Sequence, residues 1–107
     1  MSLAVREPGP DRREWEIEWQ VLEPLVVDSP AEALPELDDL VERMMVERGH
    51  PIEEGRVREA PQPEIVAEFL EARRLMTLVE NGESLAPSDI AAAITGYRNL
   101  YEYLLQP

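Results

Sequence analysis

Glu14-Trp15-Glu16-Ile17-Glu18-Trp19-Gln20-Val21 is the stretch on which the fold turns. Trp15, Ile17, Trp19 and Val21 alternate strictly with Glu14, Glu16, Glu18 and Gln20. Side chains of an extended strand point to opposite faces in turn, so this spacing predicts a β-strand over residues 14–22 with one apolar and one acidic face. Wound as a helix, the same residues would group Trp15, Trp19 and Leu22 but leave Ile17 among the acids. The strand reading carries a consequence: a lone strand cannot satisfy its own backbone donors and acceptors. Pairing with the same strand of a second copy would satisfy them and bury Trp15, Ile17, Trp19 and Val21 in a homodimer interface.

Upstream, residues 1–13 hold Pro8, Gly9 and Pro10 with little apolar content, and read as a disordered lead-in to a single domain over 14–107. Downstream the apolar period changes to that of helices. Ser29, Pro30 and Glu32 form a helix-start signature, with Pro35 an uncomfortable second-turn residue. Leu37, Leu40, Val41 and Met44 follow at helical spacing, and Gly49 with Pro51 marks the stop, giving a helix over about 30–48. Ile65, Phe69, Ala72, Met76 and Val79 make the stripe of a second helix, about 63–81, ended by Gly82. A third, about 87–105, opens at Pro87 and carries Ile90, Ala93, Ile94, Tyr97, Leu100, Tyr101 and Leu104. The predicted class is therefore mostly α: a three-helix domain with one N-terminal strand paired in a homodimer.

Composition bounds the function. The chain has 107 residues, 23 Asp+Glu, 10 Lys+Arg (all Arg), one His, no Cys and a net charge of −13. The charge divides as −4 over residues 1–30, −5 over 31–60 and −4 over 61–107, so it marks no one segment. An acid excess of this size argues against nucleic acid and anionic membrane as partners, since both need a basic patch. Without Cys there is no disulfide framework, thiolate metal site or cysteine nucleophile. No long apolar run or secretory pattern is present, and a cytoplasmic protein is expected.

Candidate sites are few. Glu47 and His50 have the Glu-x-x-His spacing of carboxylate-bridged metal bundles, with Glu68 and Glu71 as further ligands from a facing helix. Gly49 interrupts that helix, however, and a histidine beside a helix C-terminus explains His50 more simply. Ser29, Ser84 and Ser88 sit where helix caps are needed, and the isolated glycines build no phosphate loop. The aromatic residues carry more: Trp15, Ile17, Trp19 and Val21 on the strand, and Tyr103 off the main stripe of the last helix, are the expected interface.

Three segments, Val-Glu-Arg-Met-Met-Val-Glu-Arg-Gly-His-Pro (41–51), Pro-Glu-Ile-Val-Ala-Glu-Phe (63–69) and Gly-Tyr-Arg-Asn-Leu-Tyr-Glu-Tyr-Leu-Leu (96–105), make residues 37–105 resemble a family of uncharacterised actinobacterial helical proteins. That family has Tyr where His50 stands and Tyr-Arg where Phe69-Leu70 stands. The resemblance implies that His50 is not a metal ligand, and it implies no activity. The function expected from these observations is a small, acidic, non-enzymatic protein–protein interaction module without a cofactor, whose partners are a second copy of itself and an unidentified protein. The alternatives are a helical carboxylate metal- or small-ligand-binding protein, and an acidic inhibitor of a basic nucleic-acid-binding protein.

Overall fold

The computed structural model describes residues 9–50, 52 and 62–106, with side chains from Arg12 onward. It contains four helices: α1 (Gly9–Asp28), α2 (Pro30–Glu47), α3 (Pro63–Glu80) and α4 (Pro87–Leu105). Among the described residues there is no strand.

The alternating stretch is the middle of α1. Trp15 and Trp19 are 7% and 6% exposed, with Leu22 and Val26 packed against the core below them. These four recur at i, i+4, i+7 and i+11, which is one face of a helix. Ile17 and Val21 point the other way and are 49% and 69% exposed. The strand over 14–22 is thus replaced by a helix, and the strand-mediated homodimer loses its premise. Two apolar faces on opposite sides of a helix produce the same two-residue alternation as one face of a strand, because two residues advance a helix by about 200°. Burial decides between them: the large indoles go inward, where each covers about 150–250 Å².

α1 begins at Gly9, so residues 9–13 of the expected lead-in are helical; residues 1–8 lie outside the described set. Arg12 secures this end, pairing with Glu16 one turn on and donating from Nη1 to the Leu105 carbonyl at 2.9 Å. Pro24 offers no donor to the Gln20 carbonyl, but both residues lie on the exposed side, where water can serve it.

A single non-helical residue, Ser29, joins α1 to α2. Its side chain makes no cap hydrogen bond; Pro30 at the first helical position does the work of starting α2, and Pro35 is carried inside it. α2 and α3 end alike. At Gly49 (φ 82°) the amide donates to the Val46 carbonyl and His50 N–H to that of Met45; at Gly82 (φ 86°) the matching bonds run to Val79 and from Glu83 to Leu78. These paired closures need a residue in the left-handed region, which glycine enters without a Cβ clash.

The four helices alternate in direction, so α2 and α4 run parallel. Their C-terminal ends share a cavity lined by Arg48, His50, Tyr103 and Leu104, and their first turns share a groove at the other end. These two form the centre. α2 buries Ala33, Leu34, Leu37, Leu40, Val41, Met44 and Met45, and α4 buries Ala93, Ile94, Tyr97, Leu100, Tyr101 and Leu104. α1 and α3 flank them and do not touch each other, which leaves a slab of 55 × 34 × 18 Å. The expected three-helix core is therefore a four-helix one. Beyond α2, Ile52 packs on the core.

Candidate functional site

The strongest polar arrangement lies inside the bundle. Asp38 on α2 is buried and accepts from Tyr97 Oη on α4 (2.6 Å) and from Arg73 on α3, through Nη2 (2.6 Å) and Nε (3.2 Å). Arg73 also reaches Glu42 and lies 4.6 Å over the Phe69 ring, which meets Tyr97 edge-on. Burial, and then the bond to Asp38, pushes the Tyr97 hydroxyl far up, so it stays protonated and acts only as a donor. The Arg73 guanidinium, bonded to Asp38 and Glu42, is held more firmly cationic still. The chemistry of this triad is fixed hydrogen bonding, tying three helices in one register, and neither donor is tuned to give up a proton near neutrality.

A second arrangement holds α1 in place. Trp19 stacks on Tyr101 with centroids 4.3 Å apart and planes 14° from parallel. Its indole N–H donates to Glu23, which also receives Arg98, and Arg98 lies 5.7 Å over the indole. Arg48 covers Trp15 in the same manner at 5.6 Å. The two tryptophans expected at an interface are therefore part of the chain's own core. Ile17 and Val21 do remain on the surface. Tyr103 is also exposed, and its hydroxyl accepts from Gln62 at the start of α3.

The metal set is not assembled. Glu47 is exposed at the end of α2, and His50 is buried just beyond it. Glu68 lies on α3 beside Gly96, and Glu71, also on α3, is exposed and bonded to Arg74, which keeps its carboxyl below the usual range. Among the described residues no group of three or more His, Asp or Glu could hold a metal ion. His50 instead lines a cavity of ≈ 210 Å³ with Arg48, Tyr103, Leu104 and Gln106. Its Nδ1 has no hydrogen-bond partner among the described residues, and burial pushes the imidazole down, toward the neutral form.

Two surface features take a form that the sequence reading did not give. One is the outer side of α1, where Ile17, Val21, Pro24 and Val27 follow at i, i+4, i+7 and i+10, Val27 being 75% exposed. The signal was present in the alternating stretch, hidden by its fit to a strand. The other is a groove of ≈ 470 Å³ between the first turns of α2 and α4, lined by Pro30, Ala31, Glu32, Pro87, Ile90 and Ile94 among others. No one segment carries that groove, since it exists only where two distant helix starts meet.

No helix among the described residues is long and apolar enough to cross a membrane. No protein-family profile, curated protein or solved structure matches the chain.

Proposed function

We propose that this chain is a non-enzymatic protein–protein interaction module that pairs with a second copy of itself through the outer side of α1. The observation that carries the reading is the exposure of Ile17 and Val21, 49% and 69%, on a helix whose opposite side is already buried in the core. An uncovered apolar stripe on a surface helix is the usual mark of an interface. The stripe also suits a two-fold axis. Arg13 and Asp28 are exposed at its two ends, 15 residues and about 22 Å apart along the helix. Laying a second α1 antiparallel across it sets Ile17 against Pro24, Val21 against Gln20, and each Arg13 against the partner's Asp28. A pairing of this kind is isologous and closes at two chains.

Sedimentation equilibrium on the whole chain and on Ile17→Glu/Val21→Glu tests it. The wild type should form a dimer at tens of micromolar, and the variant should remain a monomer with unchanged helical circular dichroism. A monomeric wild type at 100 µM, or a variant that dimerises equally well, overturns the pairing.

A further inference from the structure

We infer that the groove between the first turns of α2 and α4 is a docking surface for a basic, amphipathic segment of another protein. The inference rests on the interaction-module reading, but none of the residues that line the groove takes part in the α1 pairing.

The groove's ≈ 470 Å³ has the size of a ligand-binding cleft, enough to admit a pair of large aliphatic side chains. Its walls are Pro30 and Ala31 on one side and Pro87, Ile90, Ala91 and Ile94 on the other, with Glu32 at the edge. An apolar side chain entering it would lose water from both helices at once.

Charge selects the occupant. Residues 24–36 and 76–96, which make up this end of the bundle, contain six acids and not one Arg or Lys. All six, Asp28, Glu32, Glu36, Glu80, Glu83 and Asp89, are exposed. Of the nearest arginines, Arg98 is engaged with Glu23, and Arg74 is bonded to Glu71 while also feeling the charge of Asp89, which among the described residues leaves the other five acids without an arginine at this end. The helix dipoles are mixed at this end, since α1 and α3 end here while α2 and α4 begin; both walls of the groove are helix starts, so the selection rests on the formal charges of the acids around it. An acidic segment, a nucleic acid or the same end of a second copy would each bring like charge to this rim. A segment with Lys or Arg flanking an apolar stripe meets both the rim and the floor, and charge complementarity speeds and orients its approach.

The test is an amide-shift titration of the ¹⁵N-labelled full chain with a synthetic 18-residue Leu/Lys helix. Two control peptides accompany it, one with every Leu replaced by Gln and one with every Lys replaced by Glu. Shifts should cluster at Ala31, Glu32, Ile90, Ala91 and Ile94. Binding should weaken at least tenfold with the Gln peptide, and likewise in Ala91→Arg and Glu32→Arg, both at exposed positions where folding is checked by circular dichroism. Several outcomes overturn the inference. One is that shifts spread over the acids of all four helices while the Gln peptide binds as tightly, which is plain charge attraction. Others are tight binding of the Glu peptide, or no binding of the Leu/Lys peptide at 1 mM. Shifts centred on Ile17 and Val21 would also overturn it, while leaving the interaction-module reading intact.

Discussion

Asp38 accepts three hydrogen bonds from two side chains and is almost out of reach of water, so its neighbours cannot be removed one at a time without consequence. Tyr97→Phe should cost about 2 kcal/mol, the loss of one donor to a buried carboxylate. Arg73→Met should cost about 3 kcal/mol, because it leaves a buried charge uncompensated. Replacing Asp38 with Leu, Arg73 with Met and Tyr97 with Phe together should cost less than Arg73→Met alone, since no charge is then stranded. Urea denaturation measures all three, and additive losses would contradict this account of the cluster. His50 makes a prediction of opposite kind. The folded chain keeps its imidazole neutral below the ordinary 6.5, beside the Arg48 cation, whereas the unfolded chain takes up the proton. Stability should therefore fall as the pH drops through 6.5, and this slope should vanish in His50→Gln. Glu18, held low by Arg43, and Glu71, held low by Arg74, add their own losses only as the pH falls below the usual carboxylate value of 4.5. Equal slopes between pH 7 and 5.5 in wild type and His50→Gln would remove His50 from the explanation.

The element that most tests the physics is α1. Its two tryptophans contribute to one core while Ile17 and Val21 face solvent, whereas a strand would have put all four on one side. Trp19→Ala should cost about 3–5 kcal/mol, because it removes the stack on Tyr101 and opens a cavity against α4. Ile17→Ala, measured below the dimerisation range, should change stability by no more than about 0.5 kcal/mol. Similar losses for the two would restore the one-faced reading. The later elements were legible because their signals are local. Pro63 and Pro87 begin helices, and Gly49 and Gly82 end them with the positive φ that glycine permits. α1 was not legible because its signal is ambiguous by geometry: over eight residues, apolar residues at every second position fit one face of a strand or two opposite faces of a helix.

At the scale of the whole molecule the net charge of −13 acts against self-association, since two copies repel at every approach. If the α1 faces pair, added salt should tighten the dimer, because screening beyond about 10 Å at 0.1 M removes the general repulsion while leaving the apolar contact. Weakening with salt would instead assign the contact to ion pairs such as Arg13 with Asp28. The groove shows the same property of charge from another side. Along the chain the charge divides almost evenly, but the fold gathers two Arg-free stretches at one end and places Arg12, Arg13 and Arg48 at the other. By itself, the sequence determined the helical class, the starts and stops of the last three helices, and the stripes they bury, since each depends on residues within a few turns of one another. Only the tertiary structure decided that Trp15 and Trp19 belong to the chain's own core, that Glu47, His50, Glu68 and Glu71 do not gather into one cluster, and that an apolar groove lies within an acidic end. Each of those depends on which distant faces meet, and that is set by packing four helices around one core.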